Sequence, residues 1–260
     1  MASRLTARAA PSNRGSRPAD SGLSGTDWPM IFEASRPGRQ SAAEALDQLA
    51  RRYWSAVYAY LRSSGRDVDE AADLTQGFVC DVMLGRQLFA GADPKRGRFR
   101  SLLLRALKTY LKERHRARMR KRLSHQGLPL RLDPAQLEQA EADPGRTPEA
   151  AFYARWSATL VRHVLDEVRG ACLEDGLEAH WAVFEARVAR PLLCGERPQP
   201  YAALVRDLDL SDAAQASNMM ITVKRRFARA LYAEVGRTVT DPADVEEELG
   251  ELLRDLERPS

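Results

Sequence analysis

Residues 95–122 read KRGRFRSLLLRALKTYLKERHRARMRKR. Thirteen of these side chains are basic and one, Glu113, is acidic. Phe99, Leu102, Leu103, Ala106, Leu107, Tyr110 and Leu111 recur at helical spacing. The spacing predicts a helix, running to about residue 123, that buries one stripe and shows cations elsewhere. In its distal half Arg114, Arg116, Arg118, Arg120, Lys121 and Arg122 surround the axis with little compensating acid. A merely solvated helix face intersperses Glu with Lys and Arg. Uncompensated cations repel one another, and a phosphate backbone relieves that repulsion. A plain solvated face, or a contact with an acidic protein or membrane, are the competing readings.

The segments around this helix are also helical in pattern; strand-like alternation is absent. Residues 44–63 place Leu46, Leu49, Ala50, Tyr53, Val57, Tyr60 and Leu61 on one stripe and stop at Ser63-Ser64-Gly65. Asp67 with Glu70 has the form of a capping box opening a helix to about Phe89, with Val68, Ala71, Ala72, Phe78, Val79 and Val82 inward. Gly91 to Pro94 break it. These three helices make an expected first domain, residues 27–124. Residues 1–26 are Ser, Arg, Ala, Gly and Pro with few large apolar groups, the composition of a disordered tail. Residues 125–147 mix Gly, Pro and acids as a flexible linker does.

Thr147 with Pro148 opens a second expected domain, residues 148–240. Phe152, Trp156, Leu160, Val164 and Val168 form its seam, and a helix with Trp181, Phe184 and Val188 is expected to end before Pro191. From Tyr201 to Val239 a short helix, a tight turn and a long helix make a helix-turn-helix pattern. Met220, Val223, Phe227, Ala230 and Leu231 are its buried stripe. Gln215, Asn218, Thr222, Arg225 and Arg229 recur on another face, amides and hydroxyl first, cations after. Amides suit base edges, adenine above all, and cations suit phosphates. An ordinary amphipathic hairpin is the alternative. Residues 241–260 hold eight carboxylates against Arg254 and Arg258, and Asp241-Pro242 opens an acidic helix with Val245, Leu249, Leu252, Leu253 and Leu256 inward. A basic middle and an acidic end imply directed electrostatics, with the acids opposing DNA binding by the free protein.

The bulk numbers exclude much. The chain has 260 residues, 44% of them hydrophobic, 29% charged, and a net charge of +4. Cys80, Cys172 and Cys194 are odd in number and far apart, so neither a disulfide framework nor a metal site is expected, and a reducing cytoplasm fits. No apolar run spans a bilayer. His115, His125, His163 and His180 lack metalloprotease spacing, and no phosphate-cradling glycine loop exists. No catalysis, cofactor or small-molecule substrate is expected. Trp54, Trp156 and Trp181 fall on apolar stripes and read as core.

Two stretches, DVDEAADLTQGFVCDVML (residues 67–84) and GRFRSLLLRALKTYLKERHRARMRKR (residues 97–122), resemble region 2 of bacterial RNA polymerase sigma factors of the extracytoplasmic-function group. The resemblance covers about residues 28–124 and, less specifically, 150–238. It implies an all-α protein of two small helical domains joined by a flexible linker, the second carrying a helix-turn-helix. Asp73, Leu74, Gln76 and Phe78 would then meet core RNA polymerase. Arg105, Lys108, Lys112, Arg114, Arg116, Arg118, Arg120, Lys121 and Arg122 would contact the −10 promoter element. Gln215, Asn218, Thr222, Lys224, Arg225, Arg226 and Arg229 would contact the −35 element. The chain departs from the family in its greater length, its polar N-terminal tail, the extra helical segment around 177–197 and its acidic end. Partners would be core polymerase and promoter DNA, with room for an anti-sigma factor for which the sequence shows no site. The rival functions are a stand-alone helix-turn-helix regulator and an RNA-binding or structural adaptor.

Overall fold

The structure, a computed structural model, describes residues 28–36, 40–85, 88–93, 98–120, 145–239 and 241–257. Among these no strand occurs, and the chain is all-α. The helices are α1 (Trp28–Ala34), α2 (Gln40–Ser63), α3 (Val68–Phe78), α4 (Phe99–Arg120), α5 (Pro148–Glu174), α6 (Glu178–Phe184), α7 (Arg190–Cys194), α8 (Tyr201–Asp207), α9 (Ala213–Gly236) and α10 (Val245–Glu257). No described helix is long and apolar enough to cross a membrane.

Local chemistry sets several boundaries where the sequence signals them. The Asp67 side chain accepts from the Glu70 amide at 2.7 Å and starts α3. Thr147 accepts from the Ala150 amide at 3.2 Å, with Pro148 in the first turn of α5. α2 ends where Gly65 takes φ +82°, a conformation that costs glycine nothing. Asp241 accepts from the Ala243 amide at 2.9 Å and leads through a 3₁₀ turn into α10.

Two boundaries differ from expectation. The single helix predicted from Asp67 to about Phe89 is interrupted. Residues 79–84 form a π turn and residues 88–91 a 3₁₀ turn. The wider turn keeps Val79, Val82 and Met83 in the core while Asp81 and Leu84 face out. Further on, the helix predicted to stop before Pro191 runs past it, through a π turn at 185–189 into α7. Pro191 follows directly on this wider turn, where the regular i→i−4 ladder is already interrupted. The stop comes instead at Gly195, with φ +66°.

One hydrophobic core extends from Trp28 to Leu252. α1, α3 and α5 all lie against α2, while α9 and α10 lie against α5. Residues 52–61 of α2 are therefore buried without a break, where periodicity alone predicts a single stripe. Ser55 Oγ and Thr159 Oγ1, 3.3 Å apart, mark the seam between α2 and α5. The expected division into domains at 125–147 does not coincide with a gap in this core. The tail (1–26) and residues 125–144 of the expected linker lie outside the described residues. A second, smaller core of Val183, Leu204 and Ala216 joins α6, α8 and the start of α9.

Candidate nucleic-acid interface

α4 turns Phe99, Leu103, Leu107 and Tyr110 inward. Phe99 stacks on Phe89 at 5.4 Å between ring centroids and meets Tyr53 at 5.3 Å; Tyr110 meets Phe78 edge-on at 5.6 Å. At about 1.5–3 kcal/mol for each large side chain fully buried, these contacts fix the rotation of α4 about its axis. Leu104 is buried as well, a position outside the expected stripe. Gly77 of α3 lies under this helix, and a Cβ built on it would collide with the Tyr110 hydroxyl.

With the rotation fixed, Arg105, Lys112, Arg114 and Arg116 face solvent. None of the four has a carboxylate partner among the described residues. The Arg114 guanidinium lies 5.6 Å over the Tyr110 ring, a cation–π contact, with one of its nitrogens close to Gly77 of α3. Lys108 differs. Its ammonium is 2.7 Å from Glu149 Oε1 on α5. Their hydrogen bond raises the Lys108 pKa and lowers that of Glu149. The side chains of Arg118 and Arg120, and all of Lys121 and Arg122, lie outside what the structure describes.

On α9 the expected face is partly engaged in holding the helix. Asp212 accepts from the Gln215 amide at 2.7 Å, and Gln215 Oε1 accepts from the Ser211 amide at 2.7 Å and the Ser211 hydroxyl at 2.9 Å. Gln215 thus reaches back to the residue before the N-cap, a variant of the capping box, and its carboxamide oxygen works for the helix start. Arg226 binds Asp175, at the end of α5, at 2.6 Å and ties the two helices together. Asn218, Thr222, Lys224, Arg225 and Arg229 are exposed. The Thr222 hydroxyl donates to the Asn218 carbonyl at 3.0 Å. His180, Ser211, Asp212, Gln215, Asn218 and Thr222 line a shallow groove beside this face.

The positions expected to meet a polymerase divide. Asp73 is exposed, Leu74 and Gln76 are half-buried, and Leu74 leans on the main core. Phe78 is wholly enclosed and cannot touch a partner directly; it holds α3 against α4.

Two arginines outside the expected set gather the most ion pairs among the described residues. Arg98 lies 2.6 Å from Glu248 Oε2 and also pairs with Glu251. Arg100 pairs with Glu248 and, at 2.8 Å, with Glu251. The Arg100 guanidinium also lies 4.5 Å over the Trp156 ring and 5.7 Å over Tyr153. Arg100 and Glu248 are both buried. Burial, and then neighbouring Arg98, lower the Arg100 pKa, opposed by Glu251. The signals for this cluster are an arginine pair at the start of α4 and carboxylates one turn apart on α10, separated by 151 residues. Local periodicity does not connect them.

No family model, curated protein or solved structure matches the chain.

Proposed function

We propose that the chain is a sigma-like transcription initiation factor that brings core RNA polymerase to promoter DNA. The observation that carries this reading is the outward group Arg105, Lys112, Arg114 and Arg116, held facing solvent by buried rings and left without carboxylate partners among the described residues. A packed helix with bare cations is suited to a polyanion, because no ion pair has to break before phosphates bind. α4 then contacts the −10 element. α8 and α9 act as a helix-turn-helix at the −35 element, with Asn218 and Thr222 toward bases and Lys224, Arg225 and Arg229 toward phosphates. Exposed Asp73, with Gln76, meets the polymerase. The protein acts by positioning and carries no catalytic step of its own.

Co-purification with core polymerase and run-off transcription from a promoter library test the reading. A specific transcript dependent on this chain supports it; failure to associate with polymerase overturns it. Asp73→Ala with Gln76→Ala lowers polymerase association while leaving the melting curve unchanged.

A second reading, a stand-alone helix-turn-helix regulator, is favoured by the core shared between α2 and α5, which holds both cationic faces on one body. Tight sequence-specific binding by the free protein, without polymerase association, selects it.

A further inference from the structure

The exposed cations of α4 continue into a site that is covered. Arg105 and Lys112 stand seven residues apart, close to two helical turns, so they share one stripe, and Arg98 is the residue just before the first turn of the same helix. Arg105 and Lys112 are bare, whereas Arg98, at the start of the helix, is capped by acids from α10. Arg100 sits beside Arg98, its guanidinium against Trp156 and Tyr153. The groups on these arginines are carboxylate oxygens from Glu248 and Glu251, with Glu247 at 4.0 Å from Arg98. Carboxylate and phosphate oxygens present the same acceptors to a guanidinium fork.

We infer that Arg98 and Arg100, backed by Trp156 and Tyr153, form a further DNA-phosphate site, and that α10 occupies it with its own carboxylates in the free protein. The inference rests on reading α4 as a DNA-binding helix. α10 is held by Val245 and Leu252, both buried, and by Leu249 and Leu256 packed against the same core, while Glu247 is largely exposed, so its displacement has a cost that the phosphate contacts must offset. An incoming backbone exchanges one set of anions for another and extends the contact stripe along α4.

Fluorescence anisotropy of the full-length protein with a short duplex DNA, over a salt series, tests this. Glu247→Gln with Glu251→Gln removes charge from α10 and keeps its apolar contacts. This variant binds the duplex more tightly at low salt than the unaltered protein. Its log–log salt slope is steeper by about 1.8, two phosphates at roughly 0.9 each. Adding Arg98→Ala cancels the gain. Unchanged affinity in the folded variant, or a gain that survives Arg98→Ala, overturns the inference. On the unaltered protein, amide exchange across residues 245–257 accelerates when duplex is added; undiminished protection with DNA bound also overturns it. Arg114→Ala with Arg116→Ala reports on the underlying reading alone. If it leaves duplex binding unchanged, α4 is not the DNA helix, whatever α10 does.

Discussion

The two ends of α4 use the same residue type in opposite ways. At the start, Arg98 and Arg100 are paired with Glu248 and Glu251, and Arg100 is buried against Trp156. Beyond the middle, Lys112, Arg114 and Arg116 are exposed and have no carboxylate among the described residues. The start is tied into the fold, because removing one partner would leave the other charge buried and uncompensated. The distal half contributes little to stability and leaves its charge for a partner. Counting arginines along the sequence does not separate these roles; what lies opposite each one does.

The largest effect tests the buried end. Arg100→Ala leaves Glu248 buried without one of its cations and costs about 3–5 kcal/mol, read as a lower urea midpoint. Replacing both, Arg100→Met with Glu248→Leu, recovers most of that loss. A loss for Arg100→Ala below about 1 kcal/mol would place this pair among surface pairs and erase the contrast.

Next is the contact that orients the distal half. Gly77→Ala pushes the Tyr110 hydroxyl and destabilises by about 1–2 kcal/mol, overpacking outweighing the gain in helix propensity. Tyr110→Phe in the same chain relieves the collision, so thermal melting of the double variant lies above that of Gly77→Ala.

The distal cations come third. Arg114→Ala with Arg116→Ala keeps stability within about 0.5 kcal/mol. It weakens duplex binding roughly tenfold and flattens the log–log salt slope by about 1.8. A stability loss comparable to that of Arg100→Ala would mean both ends serve the fold.

The smallest effect lies between them. A double-mutant cycle on Lys108 and Glu149, both partly exposed, gives about 0.2–1 kcal/mol at low salt. Glu149 is held below its ordinary pKa of 4.5, so its share is present above that pH and is lost as acid titrates the folded carboxyl. Lys108 is held above 10.5, so its share is present below that pH and is lost as base titrates the folded ammonium.

The sequence makes local events legible. Asp67, Thr147 with Pro148, and Gly65 act at the boundaries they signal, because capping depends on neighbours a few residues away. The seam of Phe152, Trp156, Leu160, Val164 and Val168 is buried, and so are Val223, Phe227 and Leu231. What is not legible depends on distant partners. Tyr53 to Leu61 shows one apolar stripe by periodicity, yet every residue there is buried because α5 covers a second side. Phe78 has the sequence context of a docking residue, but Tyr110 encloses it. Gln215 has the spacing of a base reader, but Ser211 engages its oxygen. Arg226 is counted among phosphate contacts until Asp175 is found beside it. The roles of Arg98 and Arg100 depend on a helix 151 residues further along.

The seam between α2 and α5 has a consequence for modularity. Severing the chain near residue 147 would strip one flank from Ser55 and the buried apolar residues around it on α2, so an isolated amino-terminal fragment would expose a greasy ridge and self-associate. Melting of the intact protein should accordingly pass through one cooperative transition, its halves behaving as a single thermodynamic unit.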